Sequence, residues 1–317
     1  IDAATNESGH SNQASATTPA VPDTDPPTAP INLTAQATSS TAIDLDWTAS
    51  TDNVAVTGYR VFRDGSLIAT VGSLDYTDSD LCPNTTYGYH VTAVDAAANE
   101  SAPSNTAIET TPFPEINLGS CEPFGILAGV SVGVTGLVAT VVNGNLGISP
   151  GNSLLGGLLL TVTGSTHLGN ATAAQAQVDL TLGYNQLLDA VVCDDNVLGG
   201  QNLGGLTLTA GVYSSSGGSL NGTLTLDAQG DPNAIFIIKS TGGLNVATSA
   251  EVNLANGAQA ENVWWVVPGS LTIGASADVC GSYLVNSDAT LGLLAAVHGR
   301  VLVRQGSVNM LVNTIGF

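Results

Sequence analysis

"VWWVVPGSLTIGASADVC", residues 263–280, can be written above "GSYLVNSDATLGLLAAVH", residues 281–298, and "GRVLVRQGSVNMLVNTIG", residues 299–316, with no gap between the rows. Val266, Leu284 and Leu302 then fall in one column, and Val279, Val297 and Ile315 in another. Thr272 and Thr290 share a third column, which Asn309 joins after a slip of one residue. A row of this length, split into three short strands and three bends, is one coil of a triangular solenoid. Stacked coils lie about 4.8 Å apart, so each column becomes a ladder up one face. "GGLNVATSAEVNL" (242–254) supplies an earlier coil, with an insertion before Trp264.

Working outward, "FGILAGVSVGVTGLVATVV" (124–142) is uncharged and carries Gly125, Gly129 and Gly133 at the spacing of a membrane-helix dimer face. Its glycines, its Val and Thr content and the absence of flanking Lys or Arg argue for strands instead. "TAAQAQVDLTLGYNQLLDAVV" (172–192) is the one convincing helix. Ala173, Ala176, Leu180, Tyr184, Leu187 and Val191 form a stripe at helical spacing, and Thr172 with Gln175 reads as a capping box. That stripe must lie against the β structure.

The composition agrees with an all-β chain. Of 317 residues, 43% are hydrophobic and 10% charged, with 37 glycines, and 317 residues suffice for two cores. The net charge is −21 and Lys239 is the single lysine, a balance that excludes nucleic acid as a partner. Acids are spread over both halves, which reads as solvated surface.

Residues 27–112 alternate like strands between turns. "IDLDWTAS" (43–50) sets Ile43, Leu45 and Trp47 on one face, and "TGYRVFRDGSLIATV" (57–71) reads as a hairpin around Asp64-Gly65. Tyr87, Tyr89, Val91 and Ala93 alternate in the segment that follows. This stretch resembles a fibronectin type III domain, with Trp47 as its core tryptophan and Tyr87 placed like the tyrosine-corner residue. "VDAAANESAPSNTAIETTP" (94–112) has a near twin in "IDAATNESGHSNQASATTP" (1–19), identical at twelve of nineteen positions. Residues 1–26 are therefore expected to be the tail of a preceding type III repeat plus a Pro-rich linker.

Little points to catalysis or to a bound metal. Cys82, Cys121, Cys193 and Cys280 lack CxxC spacing, which disfavours zinc. The spacing assigns no bridge; Cys121–Cys193 is the preferred pairing and buried free thiols the alternative. Asp23, Asp25, Asp78 and Asp80 form no D-x-D-x-D-G run, so they are expected to be solvated, with no metal and no cofactor. His10, His90, His167 and His298 are scattered, and His298 is expected to cap a bend. Asp194-Asp195 has no partner for acid–base work.

"GNLGISPGN", "AAQAQVDLTLGYN", "LGGLTLTAGVYS", "LTLDAQGDPNAIFIIK", "NGAQAENVWW" and "VHGRVLV", in this order from about Ile116 to the C-terminus, resemble the microbial ice-binding domain. The resemblance implies a discontinuous β-solenoid over 113–317 with one long packed helix. The expected fold class is thus all-β, a type III sandwich followed by that solenoid. It also implies binding to an ice crystal surface through a flat, uncharged face. The column Asn245, Thr272, Thr290 and Asn309 has the outward, uncharged character this requires. The family's Thr-Gly/Ala-x-Thr/Asn motif falls on "TSAE" (248–251), "ASAD" (275–278) and "LLAA" (293–296). Thr248 and Ser276 remain as hydroxyls there, but Glu251, Asp278 and Ala296 depart from the motif. The expected set is therefore Asn245, Thr248, Thr272, Ser276, Thr290 and Asn309. A secreted or cell-surface monomer without membrane insertion or enzymatic activity is expected. The competing reading is a surface adhesin or structural protein whose solenoid binds a protein or glycan. A polysaccharide-degrading enzyme would need a carboxylate cluster that the sequence does not show.

Overall fold

Alternation of apolar and polar residues between Ile31 and Thr110 builds two sheets. One holds Ile31–Ser39, Ala42–Thr48 and Asp75–Asp78; the other holds Ser66–Val71, Val56–Arg63, Thr86–Asp95 and Ala107–Thr110 in that order. Leu33, Ile43, Leu45 and Trp47 on the first and Tyr59, Val61, Tyr89, Val91 and Ala93 on the second are buried. Trp47 meets Tyr59 edge-on at 5.6 Å between ring centroids. The predicted hairpin forms, with Asp64 at φ 48° and Gly65 at φ 80°, both left-handed as a tight two-residue turn demands. Tyr87 is half-buried, with the Arg63 guanidinium 5.5 Å from its ring centre.

The computed structural model describes residues 21–317 together with Gly9, Asn12, Gln13, Ser15 and Ala16. Apart from those five, the repeat tail expected over residues 1–19 lies outside the described residues. The chain divides into two compact units: one holds Leu45–Tyr76, Tyr87–Ile108 and the segment ending at Ala35, the other Gln36–Asp44, Thr77–Thr86 and Glu109–Phe317.

From Phe124 onward all strand pairs are parallel, and the coils wind as a solenoid of three faces. One face is a seven-stranded sheet; the other two share a fourteen-stranded sheet. Asp278–Val285 and Ala296–Val303 serve both of those faces because each bends at a glycine. Glu251 pairs with Asp278 before the bend, and Trp264 pairs with Ser282 after it. At Gly299 a Cβ would stand 1.9 Å from the Gly281 carbonyl oxygen, so the corner admits no side chain. Residues 124–142 form three strands, Phe124–Ala128, Ser131–Thr135 and Thr140–Val142. The first of these stacks on the last coil through Val301–Ile126 and Leu302–Leu127, which makes the solenoid discontinuous. Among the described residues no helix is long and apolar enough to cross a membrane.

The helix spans Ala171–Leu188. Its cap is Asn170, whose Oδ1 accepts from the Ala173 N–H at 3.0 Å; the capping box expected at Thr172 is displaced by two residues. Gln175 bonds Asp179 instead. Ala173, Ala176, Leu180, Tyr184 and Leu187 are buried as the stripe predicts, while Val191 lies beyond the helix end.

Two further expectations are corrected. Cys193 pairs with Cys82, with Cα atoms 5.7 Å apart, and not with Cys121. Cys121 is buried under the helix, its Sγ donating to the Ala176 carbonyl at 2.7 Å, and burial pushes its thiol up to about 12. Cys280 is likewise a buried thiol pushed up to about 12. His298 does not cap a bend: it sits within the strand Ala296–Val303, exposed, with Nε2 2.8 Å from Asp278 Oδ1.

Candidate functional site

The seven-stranded sheet runs in the order Ser153–Leu155, Ser131–Thr135, Val308–Leu311, Ala289–Leu291, Leu271–Ile273, Leu244–Val246 and Ser219–Leu220. Its central strands, "LNV", "LTI" and "ATL", each show one exposed residue between two buried ones. Period-two alternation produces this: the aliphatic side chains enter the core and the middle residue points outward.

Register fixes the outward residues as neighbours. Ser219 pairs with Asn245, Asn245 with Thr272, Thr272 with Thr290, Thr290 with Asn309, and Asn309 with Gly133. Leu155 extends the line beyond Gly133. Asn245, Thr272, Thr290 and Asn309 are all exposed. A Cβ at Gly133 would lie 2.8 Å from Asn309 Oδ1, so the missing side chain leaves room for the Asn309 amide. The ladder contains no ionisable residue. Asp288, one position before Ala289, brings a carboxylate to the margin, where its Oδ1 accepts from the Ser307 N–H at 2.8 Å.

Thr248 and Ser276 are exposed but belong to the bends beside this sheet. They do not stack on each other. Ser249 donates its N–H to the Ala275 carbonyl and Ser276 donates its N–H to the Leu293 carbonyl, so Ser276 is the counterpart of Ser249. Ser249, Ser276, Leu294 and Val312 are all left-handed, at φ 57°, 55°, 60° and 55°, and mark the same corner in four successive coils.

The other faces differ in kind. Next to the corner, Thr223 pairs with Glu251, Glu251 with Asp278, and Asp278 with Ala296. With the exposed His298–Asp278 pair, this face carries charge at its centre. On the third face Val266, Leu284, Leu302 and Leu127 lie in adjacent register. They are buried with Ala176, Leu180, Tyr184 and Leu187 of the helix, which covers them. One face is covered, one is charged, and one is open, polar and uncharged. Sequence reasoning missed Ser219, Gly133 and Leu155 as members of the ladder.

The ice-binding-like family model matches residues 126–316 and the fibronectin type III model matches residues 25–110. An ice-binding protein of Nostoc sp. (strain HG1) is 38% identical over 200 residues, covering 62% of this chain and 72% of the relative. The crystal structure of an ice binding protein from an Antarctic Biological Consortium is similar with TM-score 0.61 and 38% identity, covering 66% of this chain and 93% of that one. Chitinase A1 of Niallia circulans is 49% identical over 117 residues, which make up 17% of that enzyme.

Proposed function

The chain belongs to the ice-binding-like family, with a fibronectin type III domain ahead of that part, and from this premise we propose that it binds ice through the seven-stranded face. The observation that carries the proposal is the unbroken line of exposed, uncharged Asn245, Thr272, Thr290 and Asn309 in adjacent register. Parallel rungs about 4.8 Å apart lie close to repeats of the ice lattice. A threonine offers a methyl group around which water forms cages and a hydroxyl that joins the hydrogen-bond network. Ions hold their own hydration shells, which counts against the face carrying Glu251 and Asp278. Thr248 and Ser276 flank the contact at its edge.

The Cys82–Cys193 disulfide supports a location outside the cell, where such bonds persist. The type III domain then acts as a spacer. A second reading, an adhesin binding a protein or glycan, draws support from the charged row of Glu251, Asp278 and His298. Thermal hysteresis and ice recrystallisation inhibition, measured on the full chain, separate the two. Ice shaping and inhibition at micromolar protein support the first, and neither effect at any soluble concentration leaves the second.

A further inference from the structure

Among the described residues, three carboxylates from distant segments converge in the first unit. Asp23 precedes the sandwich, Asp52 follows the strand Ala42–Thr48, and Asp95 ends the strand Thr86–Asp95. One oxygen of each lies within 4.8 Å of the others. None of the three takes part in an ion pair with a described Arg, Lys or His. Of the acids expected to be solvated, Asp78 is buried, and Asp23 groups with Asp52 and Asp95.

An independent feature of Asp52 asks for a ligand. Its Oδ2 accepts from the N–H groups of Val54 and Ala55, both at 2.9 Å. Asp52 as a residue is partly buried, and its Oδ1 is buried with no hydrogen-bond partner. A carboxylate oxygen withdrawn from water without a partner is costly, and two nearby carboxylates increase that cost. Asp95 is only 3% exposed, and its oxygens accept from the Asn99 N–H and Nδ2 at 2.8 and 2.7 Å. Asn99 Nδ2 also reaches the Asp23 carbonyl oxygen at 3.3 Å, and Asn53 Nδ2 donates to Asp23 Oδ1 at 3.1 Å. The surroundings are rich in oxygen, and the hydrogen bonds that Asp23, Asp52 and Asp95 side chains accept come from amide N–H groups.

We propose that Asp23, Asp52 and Asp95 bind a calcium ion that pins the segment leading into the type III domain. Calcium takes six to eight oxygens in irregular geometry. Three carboxylates, the Asp23 carbonyl and, after an amide turn, the Asn99 side-chain oxygen can contribute to that shell, with water completing it. The sequence repeats part of the set: Asp2 and Asn6 occupy the positions of Asp95 and Asn99 in the near-twin segment.

The test titrates calcium into the EDTA-stripped full chain by calorimetry and follows melting with EDTA, calcium or magnesium. The expected result is one site with a dissociation constant of about 10⁻⁴–10⁻³ M and a rise of at least about 5 °C in the type III transition at 10 mM calcium. Magnesium at that concentration gives a smaller rise. Asp52→Asn keeps the acceptor for Val54 and Ala55, weakens calcium binding about tenfold or more, and melts no lower than the parent in EDTA. Absence of heat and of any shift with the parent protein overturns the proposal. So does an equal rise with magnesium, or an Asp52→Asn variant with full calcium affinity. The parent-protein comparison decides the matter by itself if the variant does not fold.

Discussion

Thr290 stands in register beside Thr272 on adjacent parallel strands, both exposed, while Leu271, Ile273, Ala289 and Leu291 on either side of them are buried. Each hydroxyl is held by two inward-pointing neighbours, so its position is set by the packing of the core. A rigid row of this kind orders water more effectively than mobile side chains would. The proposed function rests on this row.

Asp288 places one carboxylate at the margin of the uncharged face. Asp288→Asn preserves the acceptor for the Ser307 N–H and removes the charge. We expect higher thermal hysteresis at equal concentration, with a stability change within about 0.5 kcal/mol. Unchanged or lower hysteresis in the folded variant would place the contact away from this edge.

Asp179 ties the turn Gly119–Cys121 to the helix: its Oδ2 accepts from Ser120 Oγ at 2.6 Å and from the Ser120 N–H at 2.8 Å. The Ser120 hydroxyl, and after it the Ser120 backbone N–H, holds the Asp179 carboxyl below its ordinary range. A depressed folded value means that stability is present above the unfolded value of about 3.9 and is lost as pH falls through the folded value. Asp179→Asn should therefore lower the solenoid melting temperature at pH 7, and the two proteins should converge in acid. A gap that stays constant down to pH 2 would contradict this account.

Tyr283 stacks on Trp265 at 5.4 Å inside the solenoid, and its hydroxyl is buried without a hydrogen-bond partner. Removing an unsatisfied buried hydroxyl relieves a desolvation cost of about 1 kcal/mol or more. Tyr283→Phe should melt at the same temperature or higher. A clear fall in melting temperature would show that the hydroxyl is bonded in solution.

The solenoid was legible where its coils are of equal length. Thr272 and Thr290 fall in one column at constant spacing, and Asn309 needed a slip because its coil holds an extra residue before the ladder position. Gly133 and Leu155 were hidden because residues 124–142 stack on the C-terminal coil, and a pairing between chain-distant coils leaves no period to read. Aligning "TSAE", "ASAD" and "LLAA" as strings sets Ser276 opposite Ser249, and the left-handed corner has the same register. Asn170 and Thr172 are both good caps, and only the path of the preceding chain selects Asn170. The Cys82–Cys193 bridge spans 111 residues and has no local signature.

The most direct measurement compares two tyrosine substitutions in ice recrystallisation inhibition, each paired with a melting curve. Thr290→Tyr puts a ring at the centre of the ladder, and Thr248→Tyr puts one at the neighbouring bend. If the seven-stranded face meets ice, Thr290→Tyr abolishes inhibition with the melting temperature nearly unchanged, because the ring lifts a flat face off a flat crystal. Glu251→Thr and Asp278→Asn, on the adjoining charged face, then leave inhibition as it was. Full inhibition by folded Thr290→Tyr, with loss in Thr248→Tyr or a gain in Asp278→Asn, would contradict the account and move the contact to the adjoining face.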